Sequence, residues 1–256
     1  METQRIVFFR ILHKYPTIYM GIFFATAVIL LWGGHLAWML FFLPFSLSNP
    51  WMYLHILLQA YLYTGLFITG HDAMHGNISR KKWVNTLFGN LSTYLFAGLS
   101  YKRLRKNHGL HHKHPAEARD PDFYAGSQNF VKWWAVFMWR YLSIVQLVIM
   151  AVVYNLLILA FYELKVLMYW ALPAVLGTLQ LFWVGVYWPH RLPHLPPMEP
   201  HKARTQRKNH FWAMLSCYFF GYHWEHHQDP RVPWWRLYRS KQAADKGPQP
   251  SPARGR

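Results

Sequence analysis

Between Lys14 and Asp72 the chain runs for 57 residues without a single Asp, Glu, Lys or Arg. No helix of a soluble protein tolerates so long an uncharged tract, because a helix apolar all round has no face left for water. A hydrocarbon core of about 30 Å is crossed by about 20 apolar residues in a helix. The tract therefore holds two crossings, over residues 16–34 and 51–70, separated by an apolar, aromatic stretch at 36–47 and by a Ser48-Asn49-Pro50 turn.

Two more uncharged runs, at 141–162 and 166–188, are each long enough to cross. The short connection carrying Glu163 and Lys165 makes them an antiparallel hairpin. Residues 83–101 and 211–222 are also uncharged, but the first is rich in Asn, Ser, Thr and Gly and the second is short, so both are expected in the membrane interface. Gly65 and Gly70 would let the second crossing pack closely, and Pro173 would kink the fourth.

Orientation follows from the basic residues, which collect on the cytoplasmic side. Of 27 Lys and Arg, three lie in residues 1–14, ten in 72–132 and twelve in 190–256, which leaves only Arg140 and Lys165 elsewhere. The expected fold is thus an all-α integral membrane protein, four transmembrane helices with a cytoplasmic helical cap, both termini cytoplasmic and Arg140 snorkelling at the inner end of the third helix. The first apolar tract is too long for a secretory signal and lacks an A-x-A exit. Residues 1–240 read as one membrane-embedded domain and 241–256 as a disordered basic tail. The charge flanks helices instead of striping a soluble domain, so the lipid bilayer is the expected partner and nucleic acid is not. A lone Cys217 excludes an internal disulfide and any Cys-based zinc or iron–sulfur site.

Three histidine clusters lie in the cytoplasmic segments: His71 with His75, His108 with His111 and His112, and His223 with His226 and His227. At this histidine content an H-x-x-x-H arises by chance about once in such a chain, an H-x-x-H-H roughly 0.06 times. Two copies of the rarer pattern are therefore informative. On a helix, positions i, i+3 and i+4 share a face, so each cluster aims its imidazoles at one point. Four ligands suffice for a zinc ion and three plus water for a catalytic one; eight imply two metals. Imidazole suits Zn, Cu, Fe and Ni alike. Asp72 stands where a zinc peptidase of the H-E-x-x-H type has Glu. Hydrocarbon substrates beside lipid-embedded helices offer C–H bonds, not hydrolysable ones, and attack on these needs O₂ and a redox metal, which two non-haem iron ions fit best.

The arrangement of the three boxes around paired crossings resembles the membrane di-iron superfamily of fatty-acid desaturases and hydroxylases. FITGHDAMHG at 67–76, HHKHP at 111–115 followed by DPDF at 120–123, WPHR at 188–191 and FGYHWEHHQDPRVPWWR at 220–236 are similar to the bacterial beta-carotene ketolases, over residues 16–238. The resemblance implies a desaturase-like enzyme of the bacterial inner membrane that oxidises carbon 4 of a carotenoid β-ionone ring. Two successive hydroxylations give a gem-diol, which loses water to leave a ketone, each round consuming O₂ and two electrons. It also implies an external electron donor of the ferredoxin type, acidic enough to be steered by the basic face. His190 becomes the ninth candidate ligand, because it leaves the fourth crossing on the same side and related enzymes recruit a histidine there; His194 is its rival.

Asp72, Asp120, Asp122, Glu225 and Asp229 lie in or beside the clusters and are candidates to orient imidazole N–H groups. His13, His35, His55, His114, His201 and His210 read as interfacial or surface residues. Trp188, Tyr222, Trp234 and Trp235 could line a tunnel for a polyene or simply sit at the lipid interface. Two other functions stay open: a fatty-acyl desaturase or hydroxylase would share every histidine, and a non-catalytic metal or haem carrier would place ligands or ionisable groups within the crossings.

Overall fold

A computed structural model describes residues 19–207 and 209–245. All regular structure among the described residues is helical. Helix α1 (Met20–Phe41) is followed by α2 (Pro50–His75), whose start is set by Pro50 in the first turn and by Asn49, which accepts from the Trp51 amide at 3.1 Å. Gly76, at φ +79°, ends α2 directly after His75. Helix α1 runs seven residues past the expected end of the first crossing at 34. Gly33 and Gly34 do not stop it, because Trp32, Leu36, Met39 and Leu40 continue one buried stripe and His35 donates to Gln59 of α2 at 2.6 Å.

Helix α3 (Lys82–Ala97) does not lie across the ends of the crossings. It doubles back along α2, so that Thr93 faces Gly70 and Phe96 meets the rings of Tyr63 and Phe67. A Cβ on Gly70 would come within 2.8 Å of the Thr93 methyl, and one on Gly65 within 2.6 Å of the Tyr218 hydroxyl, so both glycines serve close packing. Helix α4 (Tyr101–Lys113), capped by Ser100, returns toward the end of α2.

The third expected crossing, 141–162, is a single helix over 144–160, joined at a bend to a helix that precedes it. Helices α5 (Phe130–Tyr141) and α6 (Ile144–Ala160) meet at 93°, where Leu142 and Ser143 are extended and the Ser143 side chain caps α6 through the Gln146 amide. The Arg140 guanidinium donates to the carbonyls of Pro121 and Phe123 at 2.9 and 2.6 Å and pins the 121–123 loop. Helix α7 (Glu163–His190) is continuous for 28 residues and includes two π turns, Leu167–Ala171 and Trp183–Tyr187. The first of these immediately precedes Pro173, where a widened turn accommodates the missing N–H.

Helices α1, α2 and α7 are each long and apolar enough to cross a membrane, and the bent α5–α6 pair makes a fourth if counted as one span. Short α-helices α8 (His210–Cys217), α9 (His223–Gln228) and α10 (Leu237–Asp245) follow among the described residues. The tail expected to be disordered from 241 is helical through Asp245, because Lys241 is buried and pairs with Asp245 at 2.7 Å and with Glu225 at 3.6 Å. His13 and residues 246–256 lie outside the described residues.

Candidate metal centre

Nine imidazoles converge where α2 and α7 end. His71 and His75 come from the last turns of α2, His108, His111 and His112 from α4, His190 from the end of α7, and His223, His226 and His227 from α9. They form two groups, each with ligand atoms within 4.8 Å of one another. His71, His75, His108, His112 and His226 make the first; His111, His190, His223 and His227 make the second. His111 therefore separates from its neighbours His108 and His112, and α9 divides its three histidines between the groups.

The contacts are between like atoms. Nε2 of His75 and His108 lie 2.8 Å apart, those of His112 and both His108 and His226 3.0 Å, and those of His71 and His226 3.1 Å. In the second group His223 and His190 are 3.0 Å apart, and His227 stands 3.1 Å from both His111 and His223. Neutral imidazole has one N–H, so these nitrogens cannot all satisfy one another by hydrogen bonding. A cation satisfies every lone pair at once: with metal–nitrogen bonds of about 2.0–2.1 Å, ligands at right angles lie about 3 Å apart. The donor set fits a pair of transition-metal ions.

Burial, reinforced by neighbouring imidazoles, holds the pKa of His108, His112, His223, His226 and His227 below the ordinary histidine value, which keeps their lone pairs available. His111 is the exception. Burial opposes its charge, but Asp120, by field and by hydrogen bond, and Asp122 outweigh it and push the value up.

Among the carboxylates, Asp120 is placed to orient a ring: its Oδ2 accepts from His111 Nδ1 at 2.9 Å and from the Ala116 amide at 2.8 Å, while Oδ1 accepts from the Asp122 amide at 2.8 Å. Asp122 Oδ2 is 3.8 Å from His111 Nδ1, and its other oxygen accepts from the Tyr141 hydroxyl. Burial raises the Asp122 carboxyl to about 6. Asp72 stands 3.8 Å from its own neighbour His71 and instead accepts from the Trp234 amide at 3.1 Å, tying the 234 segment to α2. Glu225 turns away from the rings to Thr205, at 2.5 Å, and Lys241. Asp229 accepts from the Arg231 amide.

His190 Nδ1 donates to the Lys202 carbonyl at 3.0 Å. Arg204 holds that end of α7 by donating to the carbonyls of Trp188, Arg191 and Pro193. His194 joins neither group and donates to the His190 carbonyl. His35 and His55 pair with each other, and His114, His201 and His210 face Glu117, Gln228 and Tyr222.

Both groups open on one apolar pocket. His71 and His108 of the first group and His111 and His223 of the second line it, together with Phe67, Phe96, Phe137, Leu181, Phe182 and Phe220. Phe220 sets its ring edge against His71 and His223, at centroid separations of 4.8 and 5.2 Å. None of Trp188, Tyr222, Trp234 and Trp235 is among the lining residues. Phe67 and Phe220 were legible as one-turn neighbours of His71 and His223; Phe137 and Phe182 carry no local signal.

The family model described as "Fatty acid desaturase" matches residues 48–149 and 135–248. The chain is 38% identical over 238 residues to a zeaxanthin 4-ketolase of Chlamydomonas reinhardtii, which covers 88% of this chain and 54% of that protein. It is 39% identical over 201 residues to a beta-carotene ketolase of Haematococcus lacustris, covering 75% and 62%. A beta-carotene ketolase of a Paracoccus species is 36% identical over 188 residues, covering 72% of this chain and 77% of that one. The chain thus spans between half and two thirds of the length of the algal relatives. No solved structure shows a significant match. Nine histidines at these spacings, on this helical frame and with these relatives, make the chain a member of the fatty acid desaturase family and, within it, of the beta-carotene ketolases.

Proposed function

We propose that the chain is an O₂-dependent carotenoid ketolase that turns the C4 methylene of a β-ionone ring into a ketone. In this reading His71, His75, His108, His112 and His226 hold one non-haem iron and His111, His190, His223 and His227 hold the second. The observation that carries it is the shared wall: imidazoles of both groups line a pocket whose remaining surface is mostly aromatic and aliphatic. A bound iron pair supplies O₂ activation and the oxidising power to break an allylic C–H bond. The chain's own residues do the rest. Asp120 keeps the proton on Nδ1 of His111 so that Nε2 presents its lone pair inward, and the Lys202 carbonyl does the same for His190. The phenylalanines exclude water and give a flat ring a matching surface. Two hydroxylations at one carbon leave a gem-diol, which loses water; each round takes one O₂ and two electrons from an external donor.

We assign both termini and the site to the cytoplasmic side of a bacterial plasma membrane, because 25 of the 27 basic residues belong to the segments on that side. A ferredoxin-type donor suits this basic face, and raising ionic strength should then slow donor-dependent turnover; salt-insensitive rates would remove the steering argument. The deciding assay feeds membranes containing the chain with beta-carotene or with acyl lipids. Red-shifted ketocarotenoid, lost in His111→Ala, is expected. Acyl desaturation with unchanged carotenoid would overturn the proposal, and so would a Soret band.

A further inference from the structure

The pocket has one polar feature that the chemistry above does not use. Gln146, in the first turn of α6, is buried, with 7% of its surface exposed, and lines the same pocket as His71, His108, His111 and His223. Its Oε1 is shut away from solvent and has no hydrogen-bond partner. Of the other non-histidine polar side chains of the lining, Asp122 accepts from the Tyr141 hydroxyl and lies 3.8 Å from His111 Nδ1, and Thr178 donates to the Val175 carbonyl at 2.7 Å. Buried amide oxygens are rarely left unpaired, since removing one from water without a partner is costly. In a mostly apolar pocket, an unpaired polar group of this kind fixes orientation and selects the ligand that completes it.

Resting on the ketolase reading, we infer that Gln146 is a specificity-determining residue that hydrogen-bonds a hydroxyl group on the substrate ring, so that the pocket favours hydroxylated carotenoids over the parent hydrocarbon. A hydroxyl both donates and accepts, and so completes the amide whichever way it is turned. An unhydroxylated ring leaves the amide unpaired and loses that advantage at the transition state. The stem of Gln146 packs where α3 ends, beside Gly98, where a Cβ would lie 3.6 Å from its Cγ. The side chain is thereby held from both the α3 and the α6 side of the pocket.

The test is a competition in one membrane preparation, with equal amounts of beta-carotene, whose rings carry no hydroxyl, and zeaxanthin, whose rings carry one beside C4. The ratio of the two products is independent of how much folded enzyme is present. The native chain should favour zeaxanthin at least about fivefold, one net hydrogen bond, and Gln146→Leu and Gln146→Met should each lower that ratio by at least about fivefold. A native preference below that level, or a ratio that either variant leaves closer to the native value, overturns the assignment. Absence of ketolation of both carotenoids by the native chain would instead overturn the ketolase reading beneath it.

Discussion

On the proposed two-iron reading, replacing Asp120 by Asn changes almost no volume and should separate the two halves of the metal centre. Asp120 receives three N–H donors, from His111, Ala116 and Asp122. An asparagine in the same rotamer has one acceptor oxygen. Turned so that the oxygen meets His111 and Ala116, its NH₂ faces the Asp122 amide; turned the other way, it faces two donors. Either orientation opposes donor to donor and removes a charge-assisted bond, worth about 1.5–3 kcal/mol. Removing such an outer partner of a metal-ligating histidine lowers metal affinity about 10–100-fold, roughly 1.4–2.7 kcal/mol. The loss should fall on the group containing His111, while the five-histidine group, which makes no contact with Asp120, retains its ion. Iron analysis of detergent-purified protein dialysed against a graded chelator should therefore pass through a plateau near one iron per chain in Asp120→Asn, at chelator levels that leave the native chain with both. Glu225→Gln, whose carboxylate meets Thr205 and Lys241, should keep native iron content. If Asp120→Asn kept both irons at native affinity, or lost both together, the division into separate groups would be refuted.

Two further outcomes follow from the same geometry. In the metal-free protein the depressed pKa values of His108, His112, His223, His226 and His227 mean that the unfolded chain binds protons the folded one refuses. Stability should be full above the ordinary histidine value and fall as pH drops below about 6.5, by on the order of 1 kcal/mol per pH unit for each such group. Denaturant midpoints at pH 7.5, 6.5 and 5.5 check this, and a flat profile would contradict it. Gly185→Ala places a methyl group into the Phe220 ring, which braces His71 and His223. Overpacking of this kind costs about 1–3 kcal/mol, so the melting temperature should fall and ketolation per folded chain with it; native values for both would refute the bracing role.

The charge gaps of the sequence determined the helical, apolar frame, since a run of 57 uncharged residues has few folded alternatives. The i, i+3, i+4 spacing likewise determined that each histidine box presents its rings together, because one helix sets that face without help from the rest of the chain. Closure over long distances in sequence was decided only by the fold. His227 meets His111 across 116 residues and His71 meets His226 across 155, so the division into five and four had no local signature. The π turn ahead of His190 shifts its helical phase away from the 3.6-residue repeat used to read a sequence. Asp120, Asp72 and Glu225 look equivalent as acids beside histidines, and only the loop pinned by Arg140 and the docking of α10 through Lys241 determine which of them faces a ring. The pocket is a property of α2–α7 and the 220–223 segment packed together. Its unpaired amide, Gln146, reads in the sequence as one polar residue at the edge of an apolar run. Periodicity specifies a face, but which faces meet depends on packing energies summed over the whole chain.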